Sequence, residues 1–287
     1  MKPDSTPGIR FWKMTGAGND FIVFPFGHDA FGGETADFVR RICRRGLEVG
    51  ADGVLFVTPA ASSGDAQADA VLVHYNADGG RSAFCGNGTR CAAGFAVVAG
   101  FSSSPLRLRT DIGPVRAEVR GENVRIEVPA PSEPVRVNLE AAGATYEGWR
   151  VAAGVPHVVI LVDDPATIDV ARIGPVLRSH AALGPEGANI DFVQRRPAAA
   201  GIRLRTFERG VEGETLACGS GALATAAVLA REGVSAPIIL LPASGTPLTV
   251  EFEPAPGGPS GFRLSGEARV VFEGRLPAGT ARVAEPS

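Results

Sequence analysis

The chain has 287 residues, of which 45% are hydrophobic and 21% charged, as is typical of a soluble globular protein with one or two domains. A net charge of −3 provides no basic excess, which argues against nucleic acid or an anionic membrane surface as a partner. Four cysteines are too few for a disulfide scaffold, so each thiol is either a packing residue or a reactive group.

The first residues and the apolar runs bear on where the protein resides. The segment 1–10 lacks the apolar core of a secretory signal. The longest apolar runs, such as 222–230, are far shorter than the roughly 18 residues of a membrane span. We therefore expect a cytoplasmic protein, whose thiols are kept reduced.

Short apolar runs predict many strands and few helices, in an order that the second half of the chain repeats. In the first half we predict strands at 21–26, 53–58, 71–75, 106–110, 115–119 and 124–128, helices at 34–45 and 86–98, and a loop at 59–69. In the second half we predict strands at 157–162, 190–193, 202–207, 238–241, 248–252, 262–264 and 268–272, and helices at 168–180 and 219–231. The proline-rich stretch 129–134 is the best candidate for a linker.

The strongest internal signal is a repeated cysteine site. Cys85 and Cys218 lie nearly half the chain apart, and each precedes a Gly-X-Gly turn that opens an Ala-rich helix. An Ala-rich helix can be closely surrounded on all sides, so each is expected to form the buried axis of its own domain. We predict two related α/β domains that face each other, one comprising 1–130 with 274–287 and the other 131–273.

The start of a helix offers a particular chemistry to such a cysteine. Its unpaired N–H groups and partial positive charge suit a carboxylate, and glycines let a ligand approach closely. The same setting lowers the pKa of a thiol. One such element alone is compatible with a redox or acyl-transfer nucleophile.

Two such cysteines in related halves favour proton transfer. Inversion at a Cα carbon needs a base on one face and an acid on the other, and a thiolate and a thiol can exchange these roles. The helix N-termini would hold the substrate carboxylate and stabilise the developing charge. No nicotinamide, pyridoxal or metal signature is evident, because 16–18 is a bare Gly-X-Gly, no CxxC occurs and histidine is scarce. We therefore predict a racemase or epimerase that needs no cofactor.

Several motifs together resemble the diaminopimelate epimerase family. They are KMTGAGNDF at 13–21, NADG at 76–79, CGNG at 85–88, PH at 156–157, ERG at 208–210 and ETLACGSG at 214–221. The resemblance implies an α/β fold of the α+β type, in which each domain is a mostly antiparallel sheet or barrel round a central helix, with the active site in the cleft between the domains. It further implies epimerisation of LL-2,6-diaminopimelate to the meso form, towards lysine and peptidoglycan precursors, by a homodimer without pyridoxal phosphate or metal.

The resemblance also implies roles for individual residues. Cys85 and Cys218 would be the acid/base pair, and two residues, His157 and Glu208, would support the chemistry from nearby. The groups that would hold the substrate's amino and carboxylate groups are Asn19, Asn76, Asn189, Glu208 and Arg209. The groups that would cradle the reacting carboxylate are Gly86, Asn87, Gly219 and Ser220.

Three positions depart from the family pattern. Val155 stands where many members have an asparagine, and Gly53 stands near a position where some carry a substrate-binding glutamine. Glu212 lengthens the familiar Glu-Arg-Gly-X-Gly-Glu-Thr loop by one residue. The first two positions concern the far end of the substrate, and none of the three touches the cysteine pair.

Simpler interpretations apply to several of these residues. Cys43 and Cys91 lie in helical stretches among apolar neighbours and are expected to serve packing only. Asn19 and Asn76 are also good turn residues, and Arg209 could form a surface ion pair with Glu208, which would contribute little to stability.

Two rival functions stay open at the level of the sequence. A racemase of the same fold could act on another amino acid, such as proline, hydroxyproline or histidine. A thiol redox protein could join Cys85 and Cys218 reversibly in a disulfide, in which case it would cycle without an amino-acid substrate.

Overall fold

The computed structural model describes residues 8–62, 67–195, 201–256 and 258–277, and these divide into two units. Unit 1 comprises the described residues up to Val124 and from Ala268 onward, and unit 2 is Arg125–Glu267. Of the predicted segments, 278–287 and 63–66 lie outside the described residues, as do residues 1–7 of the segment searched for a signal.

Unit 1 contains eight strands that precede unit 2 in the chain, two helices, and one strand contributed by the C-terminal segment. The strands are β1 (Gly8–Gly16), β2 (Asn19–Phe24), β3 (Gly53–Pro59), β4 (Ala70–Asn76), β5 (Arg81–Ser82), β6 (Leu106–Thr110), β7 (Gly113–Arg120) and β8 (Asn123–Glu127), the last of which crosses the division between the units. The helices are α1 (Thr35–Ile42) and α2 (Gly86–Val98).

Unit 2 follows with a similar set of elements. Its strands are β9 (Val135–Ala141), β10 (Ala144–Ala153), β11 (Val155–Val162), β12 (Asn189–Gln194), β13 (Ile202–Glu208), β14 (Gly213–Thr215), β15 (Ile238–Leu241), β16 (Leu248–Glu253) and β17 (Ser260–Glu267). Its helices are α3 (Val170–Arg178) and α4 (Gly219–Arg231). The chain then returns to unit 1 as β18 (Arg269–Pro277).

The two units share one strand topology. In unit 1 the sheet runs β18-β1-β2-β3-β4-β6-β7, with parallel pairs only at β2/β3 and β4/β6 and with β5 on β4. In unit 2 it runs β9-β10-β11-β12-β13-β15-β16-β17, with parallel pairs only at β11/β12 and β13/β15 and with β14 on β13. The predicted α+β fold with two pseudo-symmetric, mostly antiparallel halves is confirmed.

Helices α2 and α4 are the buried axes of their units. Helix α2 contacts β1, β2, β3, β4, β7 and β18, and helix α4 contacts β10, β11, β12, β16 and β17. The first eleven of the thirteen residues of α2 are buried, as are ten of the thirteen in α4. The small alanine and glycine side chains let strands approach these helices from several directions at the density of a protein core.

The proline-rich stretch 129–134 is not a linker between the units. Ser132 N donates to Ala152 O at 2.8 Å, and Ala152 N donates to Ser132 Oγ at 2.8 Å, which binds the stretch to β10 of unit 2. Just before it, Val128 N donates to Phe262 O in β17. The chain therefore enters unit 2 within β8, before the prolines, whereas we expected the boundaries at 130/131 and 273/274.

Several strands were not predicted because a buried charge or a closely packed glycine interrupts their apolar pattern. In β1, Lys13 is buried and donates to Gly50 O, which hides a charge inside what would otherwise be an apolar face. In β10, Gly148 admits the neighbouring strand so closely that a Cβ atom there would lie 2.9 Å from Val158 Cγ1.

Among the described residues, no helix is long and apolar enough to cross a membrane.

Candidate active site

Each predicted cysteine caps one of the two central helices. Cys85 precedes α2 with an extended backbone, and its Sγ accepts a hydrogen bond from Gly88 N at 3.4 Å. Cys218 precedes α4 in the same way, and its Sγ accepts from Gly221 N at 3.4 Å. A sulfur in this position occupies the place of the usual Ser, Thr or Asp N-cap and satisfies one of the free N–H groups of the first turn.

The environment of the two sulfurs differs in one respect that matters for chemistry. Cys218 is 4% exposed, whereas Cys85 is only partly buried. Burial raises the pKa of the Cys218 thiol well above its ordinary value, and the charges of Glu208 and Asp191 raise it further, against the hydrogen bonds from Ser220 and Gly221. The predicted lowering of the thiol pKa is therefore wrong for Cys218, which retains its proton at neutral pH.

A buried chain of polar side chains leads away from Cys218. Cys218 Sγ lies 3.3 Å from Ser220 Oγ, which lies 3.0 Å from His157 Nε2. On the other side of the ring, His157 Nδ1 lies 2.7 Å from Asp191 Oδ2. Asp191 Oδ1 accepts a further hydrogen bond from Thr206 Oγ1 at 2.7 Å.

The direction of these hydrogen bonds follows from Asn189. The backbone N–H of Arg209 can only donate, and it lies 2.8 Å from Asn189 Oδ1, so the other end of that amide is its NH₂ group. This NH₂ group faces His157 Nε2 at 3.2 Å, which makes Nε2 an acceptor and places the ring proton on Nδ1, facing Asp191. Ser220 can then donate to Nε2 and accept from the Cys218 thiol, so the whole chain is consistent with a protonated Cys218.

The last glycine of the Cys-Gly-Ser-Gly segment is required by this same chain. A Cβ atom on Gly221 would lie 2.5 Å from Asp191 Oδ1 and 3.2 Å from Thr206 Oγ1. At the equivalent Gly88 of unit 1, the nearest atom would be Leu55 Cδ2 at 3.3 Å. Only in unit 2 does a carboxylate press directly against the helix start.

Unit 1 fixes the amides near Cys85 through a chain of its own. Arg90 Nη2 donates to Asn87 Oδ1 at 2.8 Å, which leaves the Asn87 NH₂ group to donate to Asn19 Oδ1. Asn19 Nδ2 then donates to Asp52 Oδ2 at 2.9 Å. Asn19 and Asn87 thus meet in the structure and hold each other in one orientation.

The carboxylates behind Asn19 are themselves paired. Asp52 contacts Arg45 at 2.7 Å, and Asp20 contacts Arg45 at 3.0 Å and Lys13 at 2.7 Å. Burial alone would raise the pKa of Asp20, but hydrogen bonds from Arg45 and Lys13 outweigh it and lower the pKa below its ordinary value. The cluster therefore keeps Asp20 charged and the position of Asn19 fixed.

The remaining predicted residues lie at strand ends. Asn76 ends β4 and is exposed, and Glu208 ends β13 and is partly buried. Arg209 follows directly and forms an ion pair at 2.9 Å with Glu186, not with Glu208 as the surface-pair interpretation had it. The first residues of the two central helices, Gly86, Asn87, Gly219 and Ser220, directly follow their cysteines.

Two residues of the Cys218 chain were not singled out from the sequence, namely Asp191 and Thr206. Asp191 lies in the middle of the apolar strand β12 and is fully buried. A carboxylate at such a position is rarely tolerated without a partner, and that was the signal available. Thr206, on the neighbouring strand, gave no signal that distinguishes it from an ordinary strand residue.

Disulfide and metal chemistry were also considered from the sequence. None of the four cysteines forms a disulfide bond within the part of the chain that the structure describes, and Cys43 and Cys91 are buried among core residues. Burial raises the pKa of Cys43 to about 12, so this thiol is unreactive. Within the described ranges, no three His, Cys, Asp or Glu side chains are placed to hold a metal ion.

Comparison with known proteins completes the description of the site. The sequence model of the family "Diaminopimelate epimerase" matches residues 11–138 and 150–254. The chain belongs to the diaminopimelate epimerase family. A family member from Gemmatimonas aurantiaca is 42% identical over 285 residues, covering 93% of this chain and 99% of its own length. The diaminopimelate epimerase of Aquifex aeolicus is 36% identical over 280 residues, covering 93% and 98%.

The fold of this diaminopimelate epimerase family member also occurs in more distant proteins. The crystal structure of a probable proline racemase from Agrobacterium radiobacter K84 superimposes with a TM-score of 0.71 at 17% identity, covering 94% of this chain and 93% of its own. At that identity the likeness concerns the fold alone.

Proposed function

We propose that this protein epimerises LL-2,6-diaminopimelate to the meso form, with Cys85 and Cys218 as the acid/base pair and with no cofactor. The observation that carries the proposal is the duplicated helix start, in which each cysteine caps a buried central helix, in a chain of this family. The curated relatives that the chain matches over nearly their whole length are named for the same activity.

The difference between the two thiols assigns their starting roles. Cys218 is buried, and its raised pKa keeps the proton on sulfur, which makes it the acid for one direction of reaction. Cys85 would then act as thiolate and take the Cα proton to become a thiol. Cys218 would deliver its own proton to the opposite face of the same carbon and become the thiolate. The reverse reaction exchanges the two roles.

The negative charge that develops at the substrate carboxylate needs stabilisation in the same step. The N–H groups at the starts of α2 and α4 are suited to it, because a helix start carries a partial positive charge and glycines leave the backbone accessible. Gly86, Asn87, Gly219 and Ser220 occupy these starts. We expect them to cradle the reacting carboxylate, which is worth more in the transition state than in the ground state.

His157 is best understood as a residue that holds the Cys218 proton in place. Its Nδ1–H is fixed by Asp191, and its Nε2 accepts from Ser220, which in turn faces Cys218. In this state the histidine has no proton to give towards Cys218. Once Cys218 has lost its proton, the Ser220 hydroxyl is free to turn and donate to the thiolate.

The far end of the substrate would be bound by polar groups at the strand ends. Arg209 is the natural partner for a distal carboxylate, because its guanidinium can bind both oxygens. Its present partner, Glu186, has an 81% exposed side chain, so the pair is weak and a substrate carboxylate can replace it. Asn19, Asn76, Asn189 and Glu208 are the proposed partners of the remaining amino and carboxylate groups.

The test is incubation of the purified protein with a panel of amino acids, read by chiral chromatography. We expect conversion of LL-diaminopimelate to the meso form without added cofactor, and no conversion by Cys85→Ala or Cys218→Ala. The packing control Cys91→Ala should retain turnover. Faster inversion of proline, hydroxyproline or histidine than of diaminopimelate would overturn the substrate assignment. Near-normal turnover by Cys85→Ala would overturn the two-thiol mechanism.

Location and assembly are further parts of the proposal. We propose a cytoplasmic homodimer, on the strength of the sequence analysis and of the family resemblance. Cell fractionation and analytical ultracentrifugation of the purified protein test these two statements separately from the activity.

A further inference from the structure

His74 is a buried histidine that the proposed mechanism does not use. It lies in β4 and is 6% exposed. Both ring nitrogens, Nδ1 and Nε2, lack a hydrogen-bond partner among the described residues. Buried polar atoms in folded proteins almost always have a partner, so an unpaired imidazole indicates a bound polar molecule or a functional contact.

The imidazole lines a small pocket together with Cys85. The other walls are formed by Leu72, Phe84, Thr89 and Asp111. Thr89 Oγ1 is also buried and has no hydrogen-bond partner within the described ranges. Thr89 lies on the first turn of α2, where its N–H donates to Cys85 O at 2.8 Å. His74 and Thr89 thus carry three buried polar atoms without a partner among the described residues, and both residues line this pocket together with Cys85.

Strand register shows which residues of unit 1 occupy the positions of the Cys218 chain in unit 2. In unit 2, Asp191 is paired in register with Thr206, and in unit 1 the equivalent pair is Leu55 and His74. By the same registers, the position of His157 is taken in unit 1 by Phe21. Unit 1 thus lacks the histidine and the carboxylate of the Cys218 chain. Its imidazole, that of His74, lies instead on β4, at the position that corresponds to Thr206 in unit 2.

The neighbouring strand β3 leaves room for this imidazole because it has a glycine, Gly53, beside the ring. A Cβ atom on Gly53 would lie 2.9 Å from His74 Nε2 and 2.6 Å from Tyr75 O. Phe21 packs its edge against the ring at a centroid distance of 5.6 Å. The ring is therefore held in place by apolar contacts, while its nitrogens are left to hydrogen-bond elsewhere.

We propose that His74 is a positioning residue for Cys85, whose neutral imidazole donates a hydrogen bond, through one water held by Thr89, that stabilises the Cys85 thiolate. The effect on the thiol stands by itself, whereas its consequence for turnover rests on the proposed function. A donor that faces a thiolate favours the charged form and lowers the pKa of the thiol.

The charges around His74 are consistent with a neutral donor. Burial lowers its pKa to about 4, against a smaller opposing effect of Asp111, so the ring is neutral at neutral pH. The Asp111 carboxylate is bound by Arg81 through two contacts of 2.6 Å each. Strand β3 contributes no titratable group. The other elements packed against β4 contribute Arg107 and Arg109 from β6, Arg90 and Cys91 from α2 with its N-cap Cys85, and Asp37, Arg40 and Arg41 from α1.

The experiment is the pH dependence of alkylation of Cys85 by iodoacetamide in the full-length protein, with the modified cysteines resolved by peptide mass spectrometry. In His74→Phe we expect Cys85 alkylation near neutral pH to slow about tenfold and to recover at higher pH, because its pKa rises. In His74→Gln, which keeps a donor, we expect the rate to stay within about threefold of the parent. The Cys218 profile serves as the internal control and should not move.

Two further variants separate hydrogen bonding from packing. Thr89→Val keeps the shape of the side chain and removes the hydroxyl, so it should also slow Cys85 alkylation. Leu72→Val alters the pocket wall without a polar group and should leave the profile unchanged. An unchanged Cys85 profile in Thr89→Val, or in a folded His74→Phe, would overturn the proposal. Turnover by Cys85→Ala, with the His74 effect intact, would count against the proposed function alone.

Discussion

His157 Nδ1 lies 2.7 Å from Asp191 Oδ2, and both side chains are completely buried in unit 2. The amide of Asn189 fixes the ring proton on the Asp191 side, and Nε2, which faces Asn189, also accepts from Ser220. Asp191 therefore acts on Cys218 through three successive hydrogen bonds, by deciding which nitrogen of His157 carries the proton.

Replacement of this carboxylate tests the relationship. In Asp191→Asn, one end of the amide is a donor, and it would face either the ring N–H of His157 or the hydroxyl of Thr206. We expect a loss of about 1–3 kcal/mol in the free energy of unfolding and at least a tenfold drop in kcat. Urea unfolding and a chiral turnover assay measure the two effects. The exposed Asp163→Asn is the matched control and should leave both unchanged, whereas normal turnover by Asp191→Asn would contradict the assigned proton position.

The paired glycines of the two helix starts give a second prediction. Gly221→Ala places a Cβ atom 2.5 Å from Asp191 Oδ1, whereas the atom nearest to a Cβ in Gly88→Ala is Leu55 Cδ2 at 3.3 Å. Alanine is otherwise favoured over glycine in a helix by about 1 kcal/mol. We expect Gly221→Ala to lower the free energy of unfolding by about 1–3 kcal/mol and Gly88→Ala to change it by less than about 1 kcal/mol. Equal destabilisation in urea would show that the carboxylate contact is not the cause.

The ion pair between Arg209 and Glu186 yields a prediction about specificity. If Arg209 binds the distal carboxylate, Arg209→Met should raise KM for diaminopimelate by roughly thirtyfold or more, corresponding to at least about 2 kcal/mol. Glu186→Gln removes the competing carboxylate and should leave KM unchanged or lower it. Steady-state kinetics with both variants decide the matter. An unchanged KM in Arg209→Met would place the distal carboxylate elsewhere.

The buried His74 predicts a dependence of stability on pH. Burial holds its folded-state pKa at about 4, whereas an exposed histidine titrates near 6.5. The unfolded chain therefore takes up a proton that the folded chain refuses, and stability is lost as the pH falls from 6.5 towards 4. Between about pH 7.5 and pH 5 this amounts to about 2 kcal/mol. We expect urea unfolding to show a loss smaller by that amount in His74→Phe, and equal losses in both proteins would contradict the prediction.

Much of the fold could be predicted because its signals are local. The Ala-rich helices 86–98 and 219–231 and the strands 106–110 and 238–241 have the bounds expected from the sequence. Strands β1 and β10 were missed because a buried lysine and a closely packed glycine break their apolar pattern. The stretch 129–134 was misread because prolines signal irregular backbone, but do not reveal which unit that backbone is bound to.

In the site, too, residues that belong to a short sequence motif could be predicted, whereas residues that act through contacts across the sheet could not. Cys85 and Cys218 were identified because each capping site is contained in four consecutive residues. Asp191, Thr206 and His74 act through contacts across the sheet, which depend on strand register and are not visible in a local pattern. The raised pKa of Cys218 arises from burial in the folded unit, which outweighs the favourable helix start that the sequence indicated.

The central claim is that two different thiols serve the two faces of one Cα carbon, and hydrogen isotope exchange tests it most directly. In deuterated water, the thiol that protonates the product has exchanged with solvent before the substrate binds. Early in the reaction, the product should therefore carry deuterium at the inverted Cα. Recovered substrate should carry almost none, because the thiol that took its proton can return only that proton until it exchanges. Early-time mass spectra of the two separated stereoisomers give the answer, and equal deuterium in substrate and product from the first turnovers would contradict the two-cysteine account.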